Sequence, residues 1–156
     1  MATSIPEGTV AQVPCASGQP ALAVVARRQP RGHCVALYVF ATVENAEGGM
    51  PLELPAPHSA DYRGRFADEP LRTGAWPVLG VHPSFRREDW PFDKVAHQDR
   101  LSGRCLVVRL DDRNPLKITG MDPVDCGSVA GWPSDAIDSP YLFAREVLPA
   151  LRGQGA

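Results

Sequence analysis

Four histidines, four cysteines and a run of aspartates carry most of the reactive side chains of this 156-residue chain. His33, His58, His82 and His97 lie 25, 24 and 15 residues apart, so no two form a local ligand pair. No His-Glu-x-x-His, His-x-His or Cys-x-x-Cys spacing occurs. His33 and Cys34 are neighbours, but adjacent side chains of a strand point to opposite faces and cannot share one ion without a bulge. The Gly-x-Ser-x-Gly elbow is absent, and Gly48-Gly49 runs into Met-Pro rather than into the Lys and Ser or Thr of a phosphate loop. The expectation is therefore no catalytic residue, no metal ligand and no cofactor. A metal-dependent hydrolase built from distant His and Asp residues is the alternative.

Charge marks three further places. Arg27, Arg28 and Arg31 crowd one expected hairpin tip, which reads as a solvated turn, with a grip on a phosphate backbone as the alternative. Between Asp111 and Asp138 six aspartates face only Arg113 and Lys117. Most of these suit caps and turns, but the segment could also fill the basic groove of a nucleic-acid-handling enzyme. The third place, residues 82–93, is dense in aromatics and charges. Trp76, Trp90 and Trp132 each precede proline, which holds the tryptophan extended. Trp76, among Val78, Leu79 and Val81, is expected in a core, whereas Trp90 in its charged loop is expected as a surface anchor. Overall, 16 basic against 18 acidic residues give a net charge of −2, and nothing global draws the chain to nucleic acid or to an anionic membrane.

The elements that position these residues are predicted to be mostly strands. Fourteen glycines and sixteen prolines leave little room for long helices. Residues 9–14, 21–26 and 34–43 read as an antiparallel meander within a block spanning 8–43, so apolar that both faces must be covered, as in a sandwich or small barrel. Residues 44–70 read as an irregular connector of functional length. A second β block spans 71–120, with strands expected at 76–81, 105–110 and 116–119. A C-terminal segment and helix follow over 121–152. Ser139 is its N-cap and Pro140 its first residue, and Pro149 is expected to end or kink it at Leu148. The fold class is mainly β within α+β, an antiparallel sheet or small SH3-like barrel with long irregular loops and a C-terminal helix, in one domain over 1–156. The N-terminal residues lack a basic and then apolar leader, and no window approaches 18 uninterrupted apolar residues. A cytoplasmic location is expected, with Cys15, Cys34, Cys105 and Cys126 as reduced thiols.

Residues 6–14 (Pro-Glu-Gly-Thr-Val-Ala-Gln-Val-Pro) and residues 71–80 (Leu-Arg-Thr-Gly-Ala-Trp-Pro-Val-Leu-Gly), followed by Pro83 and by Trp90-Pro91-Phe92, carry a family resemblance. With the looser tail at 131–137, the chain resembles the immunity protein 26 family of bacterial polymorphic toxin systems. The resemblance implies a small antidote, beta-rich and non-enzymatic, that occludes the active site of a cognate toxin domain of a secreted effector in interbacterial competition. A phosphotriesterase activity is also attached to that family, but no matching ligand pattern stands in this sequence. The partner surface is expected from Arg86, Arg87, Glu88, Asp89 and Trp90, together with Asp111, Asp112, Asp122 and Asp125. A small nucleic-acid-binding β-barrel using the three arginines is a further alternative.

Overall fold

Neighbouring strands that are apolar at successive positions leave neither face to water, and the architecture follows from covering both. The computed structural model of the chain describes residues 4–16, 18–42 and 48–154. Strands β1 (Thr9–Cys15), β2 (Gly18–Arg28) and β3 (Cys34–Phe40) form the expected antiparallel meander. Val43, the expected end of the third strand, lies outside the described residues, as does Ser17 in the first turn.

β4 (Tyr62–Ala67) joins β3, β5 (Val78–Val81) joins β1, and the two-residue β9 (Ile137–Asp138) adds in parallel to β4. The order is β5-β1-β2-β3-β4-β9. The chain then forms a second antiparallel sheet from β6 (Lys94–Gln98), β7 (Cys105–Asp111) and β8 (Asn114–Val124). No closed barrel forms: β5 and β9 remain opposite edges of the larger sheet. The mainly β class, the long loops and the C-terminal helix stand as expected.

The period of two sorts the side chains. Ala11, Val13, Ala23, Val25, Leu37 and Val39 pack on one face with Ile5, Leu71, Trp76, Phe143 and Leu148. Val10, Leu22, Val24, Ala36, Tyr38 and Phe40 pack on the other with Trp90, Phe92, Val95, Val108 and Leu110. The larger sheet is thus the middle layer between the C-terminal helix and the smaller sheet.

Several expectations are corrected. β4 and a short helix α1 (Glu69–Thr73) interrupt the supposed irregular connector. β4 escapes notice because its inward Arg65, 5% exposed, breaks the apolar alternation; its two terminal nitrogens donate to the carbonyls of Pro115 (3.1 Å) and Asp135, while its buried Nε has no partner among the described residues. β6, with Lys94, His97 and Gln98, is hidden in the same way. The strand expected at 76–81 begins only at Val78, and the one at 116–119 extends over the whole of β8.

The helix starts as expected, Ser139 Oγ accepting from the Leu142 N–H at 3.4 Å, but it does not stop at Leu148. Residues Pro140–Leu142 (α2) lead into a π-helical turn, Phe143–Val147, and then α3 (Leu148–Gln154). Pro149 falls in the first turn of α3, where a missing N–H removes no bond of that helix. No helix among the described residues is long and apolar enough to cross a membrane.

Two of the four cysteines are not free thiols. Cys105 on β7 and Cys126, just beyond β8, form a disulfide with Cα atoms 5.2 Å apart. The β7–β8 hairpin returns the chain to its own start, so residues 21 apart in sequence meet. Cys15 and Cys34 are buried and free.

Phe143 is 1% exposed and meets Tyr62 and Phe66 with ring centroids at 4.8 and 5.1 Å. Phe143→Ala should lower unfolding stability by about 3–5 kcal/mol, read as the midpoint of a urea titration. The same titration with and without reductant should separate by about 3 kcal/mol, the chain-entropy value for a loop of this length; coincident curves would show that the bridge contributes nothing.

Candidate binding groove

The buried Arg27 organises the ground on which the candidate site stands. Its guanidinium, on β2, donates to the carbonyls of Ala26 (2.6 Å), Trp90 (3.1 Å) and Arg87 (3.4 Å), and to Asp112 Oδ1 at 3.1 and 3.2 Å. Arg27 is 3% exposed, so one of the three supposed tip arginines belongs to the interior. Arg87 donates to Glu7 Oε2 at 2.8 Å and to both the carboxylate and the carbonyl of Asp112. Asp112 therefore lies between two guanidiniums, and its hydrogen bond from Arg87, opposed by burial and helped by the bond from Arg27, holds its carboxyl below the ordinary range.

These bonds fold the loop of residues 86–91 onto the sheet. Trp90, expected as an exposed anchor, is 3% exposed. Its ring stands edge-on to Tyr38 and Phe40, with centroids 5.0 and 6.0 Å away, and tilts against Phe85. The Tyr38 hydroxyl donates to the Pro91 carbonyl and fixes the loop's end. His82, also buried, fixes its start: Nδ1 accepts from the Ser84 N–H at 3.1 Å, so Nε2 carries the proton that is donated to the Pro51 carbonyl at 2.9 Å.

Between this loop, β3, β4 and residues 53–61 runs an open groove of about 1020 Å³. The half-buried Tyr62 lines it together with the nearly enclosed Tyr38 and Trp90, 2% and 3% exposed, and Leu54, Pro55 and Pro57 form an apolar wall, with a short 3₁₀ turn over Pro57–Ser59. Its charged members are Glu53, Asp61, Arg63 and Asp89. Arg63 lies over the Tyr38 ring, its Cζ 5.8 Å from the centroid. Asp61 also holds the wall in place, Oδ2 accepting from the Ala41 N–H at 2.7 Å and its own N–H donating to the Val39 carbonyl at 2.9 Å. At the inner end Tyr62 donates to Asp138 Oδ2 at 2.7 Å; burial raises both groups above their ordinary pKa values.

Of the nine residues expected at a partner surface, the structure brings only Asp89 and Trp90 into this groove. Arg87 and Asp112 are joined to each other, as internal ties. Arg86 and Glu88 form a loose exposed pair at 3.9 Å on the 3₁₀ turn over Arg87–Asp89. Asp111 caps its own turn through the Arg113 N–H at 3.2 Å, Asp122 pairs with Arg109 on the smaller sheet, and Asp125 begins the turn before Cys126. Sequence reasoning missed Glu53, Asp61 and Arg63; its one pointer was the functional length of the connector that carries them.

A second groove, of about 1050 Å³, lies along β6 beside the disulfide and Trp132. There His97 Nδ1 and Asp135 Oδ2 are 2.7 Å apart, a base with its orienting carboxylate. No hydroxyl or free thiol hydrogen-bonds to His97 among the described residues, and no group of three metal-ligating side chains occurs there. No family model, curated protein or solved structure matches the chain.

Because Asp112 titrates lower in the folded chain than in the unfolded one, its stabilisation is complete above the ordinary aspartate value of about 3.9 and is lost as pH falls through the depressed folded value. Asp112→Asn should melt below wild type at pH 7, by about 1 kcal/mol or less because the side chain is 58% exposed and screened. The two melting curves should converge as pH is lowered past that range, measured by circular dichroism.

Proposed function

We propose that the protein is a stoichiometric binder that neutralises a cognate toxin domain in the cytoplasm, holding a cationic side chain of that domain in the groove among Glu53, Asp61 and Asp89. The observation that carries this reading is the groove's charge: three carboxylates, Glu53, Asp61 and Asp89, against the single arginine Arg63. Carboxylates lining a groove attract a basic partner and raise its association rate. Immunity of the kind implied by the resemblance to the immunity protein 26 family requires such occlusion and no turnover. The ties through Arg27, His82 and Asp61 support the reading by preorganising the walls, which lowers the ordering cost on binding.

Glu53 and Asp89 are exposed and have no side-chain partner among the described residues, so both can be reversed without cutting a fold contact. Where the adjacent upstream gene encodes a large secreted protein, co-expression of this chain should restore growth to cells poisoned by that protein's C-terminal domain. Glu53→Lys with Asp89→Lys should abolish the rescue while leaving the melting temperature within a few degrees, and Glu146→Lys on the C-terminal helix should rescue fully. Failure of the wild-type chain to rescue overturns neutralisation; full rescue by the double variant overturns the groove as the interface.

A further inference from the structure

The arginines of the β2–β3 turn have a second destination. While Arg27 turns inward, Arg28 and Arg31 line a separate, smaller pocket of about 200 Å³ together with His33 and Arg72. Its one carboxylate is Asp68, 6% exposed and already engaged: Arg72 Nε is 2.7 Å from its Oδ1, and His33 Nδ1 is 3.5 Å from the same atom. Arg28 and Arg31 have no carboxylate partner among the described residues. Three arginines, Arg28, Arg31 and Arg72, thus line one small concavity against the single carboxylate of Asp68.

We propose that this pocket binds a single phosphoryl dianion. Guanidinium forks pair with the several oxygens of a tetrahedral anion, and their charge selects a dianion over a monoanion. The volume falls below the span of about 300–1,000 Å³ typical of whole small-molecule sites, so the pocket accepts a terminal group rather than an entire nucleotide. The frame is rigid: the Gln29 N–H donates to the Cys34 carbonyl at 2.8 Å and the Asp68 N–H to the His33 carbonyl at 2.8 Å, clamping the turn between strand and helix. Cys34 lies at the same pocket, but burial pushes its thiol up to about 11, leaving it protonated at neutral pH. The chemistry offered is recognition, with no thiolate to attack the bound group.

Titration calorimetry at fixed ionic strength tests this on the full chain with three probes: inorganic phosphate, phenyl phosphate and dimethyl phosphate. Phosphate and the monoester should bind with Kd values within a few-fold of each other, and the diester monoanion at least tenfold more weakly. Arg28→Ala with Arg31→Ala should weaken phosphate at least tenfold, whereas Arg86→Ala, an exposed arginine outside the pocket, should leave it unchanged. Absence of phosphate binding, an unaltered Kd in the double variant, or equal loss in Arg86→Ala would each overturn the site. Preference for inorganic phosphate identifies a free anion as the ligand, and preference for the monoester identifies a phosphorylated molecule. The pocket shares no residue with the groove, so either reading can fail without the other.

Discussion

Strands β2 and β3 are apolar on both faces, and every other layer of the molecule exists to keep water from them. From Ala21 to Ala26 and from Cys34 to Phe40 every residue is buried. A sheet of this kind cannot stand with one face in solvent, as many antiparallel sheets do. One face takes the C-terminal helix through Phe143 and Leu148; the other takes the second sheet through Val95, Val108 and Leu110 and the aromatic loop through Trp90 and Phe92. The groove is a by-product of this packing, left where the loop and the proline-rich wall meet the edge of the second layer.

Buried polar side chains then decide how the loops lie on that frame. Arg27, Arg65 and His82 are each nearly enclosed, and each spends its hydrogen bonds on carbonyls of distant loop segments. Leaving a buried donor unpaired is costly, so the bonds these side chains make hold the loop segments in place, even though Arg65 keeps one buried donor, Nε, without a partner among the described residues. Arg27 ties residues 87–90 to the sheet, Arg65 ties the start of β8 to residue 135, and His82 ties residue 51 to the aromatic loop. The same device that seats Trp90 also pairs Arg87 with Asp112, leaving Asp89 as the charged member of that loop within the groove.

The first three strands were legible because hydrophobic alternation is local: Val10, Leu22 and Tyr38 announce their burial by type and spacing alone. The start of the C-terminal helix was legible for a similar reason, since Ser139 and Pro140 act within one turn. β4 and β6 were not, because Arg65 and His97 are polar residues whose inward or half-buried places depend on partners elsewhere. The residues expected at a partner surface are not gathered into one place by the fold. Arg87 and Asp112 were correctly noticed as charges, but a charge becomes an interface or an internal tie according to what stands opposite it.

By itself, then, the order of residues determined a β framework with two covered faces, punctuated by turns, and a capped terminal helix. Tertiary structure alone decided that Arg27 is interior and Arg28 and Arg31 peripheral, that Trp90 is a packed wall, that Cys105 meets Cys126, and that Glu53, Asp61 and Asp89 share one groove. The physical reason is range. Alternation and capping act over a few residues, whereas the bonds from Arg27 to Trp90 and Asp112 span 63 and 85 positions, and no local pattern encodes a partner so far along the chain.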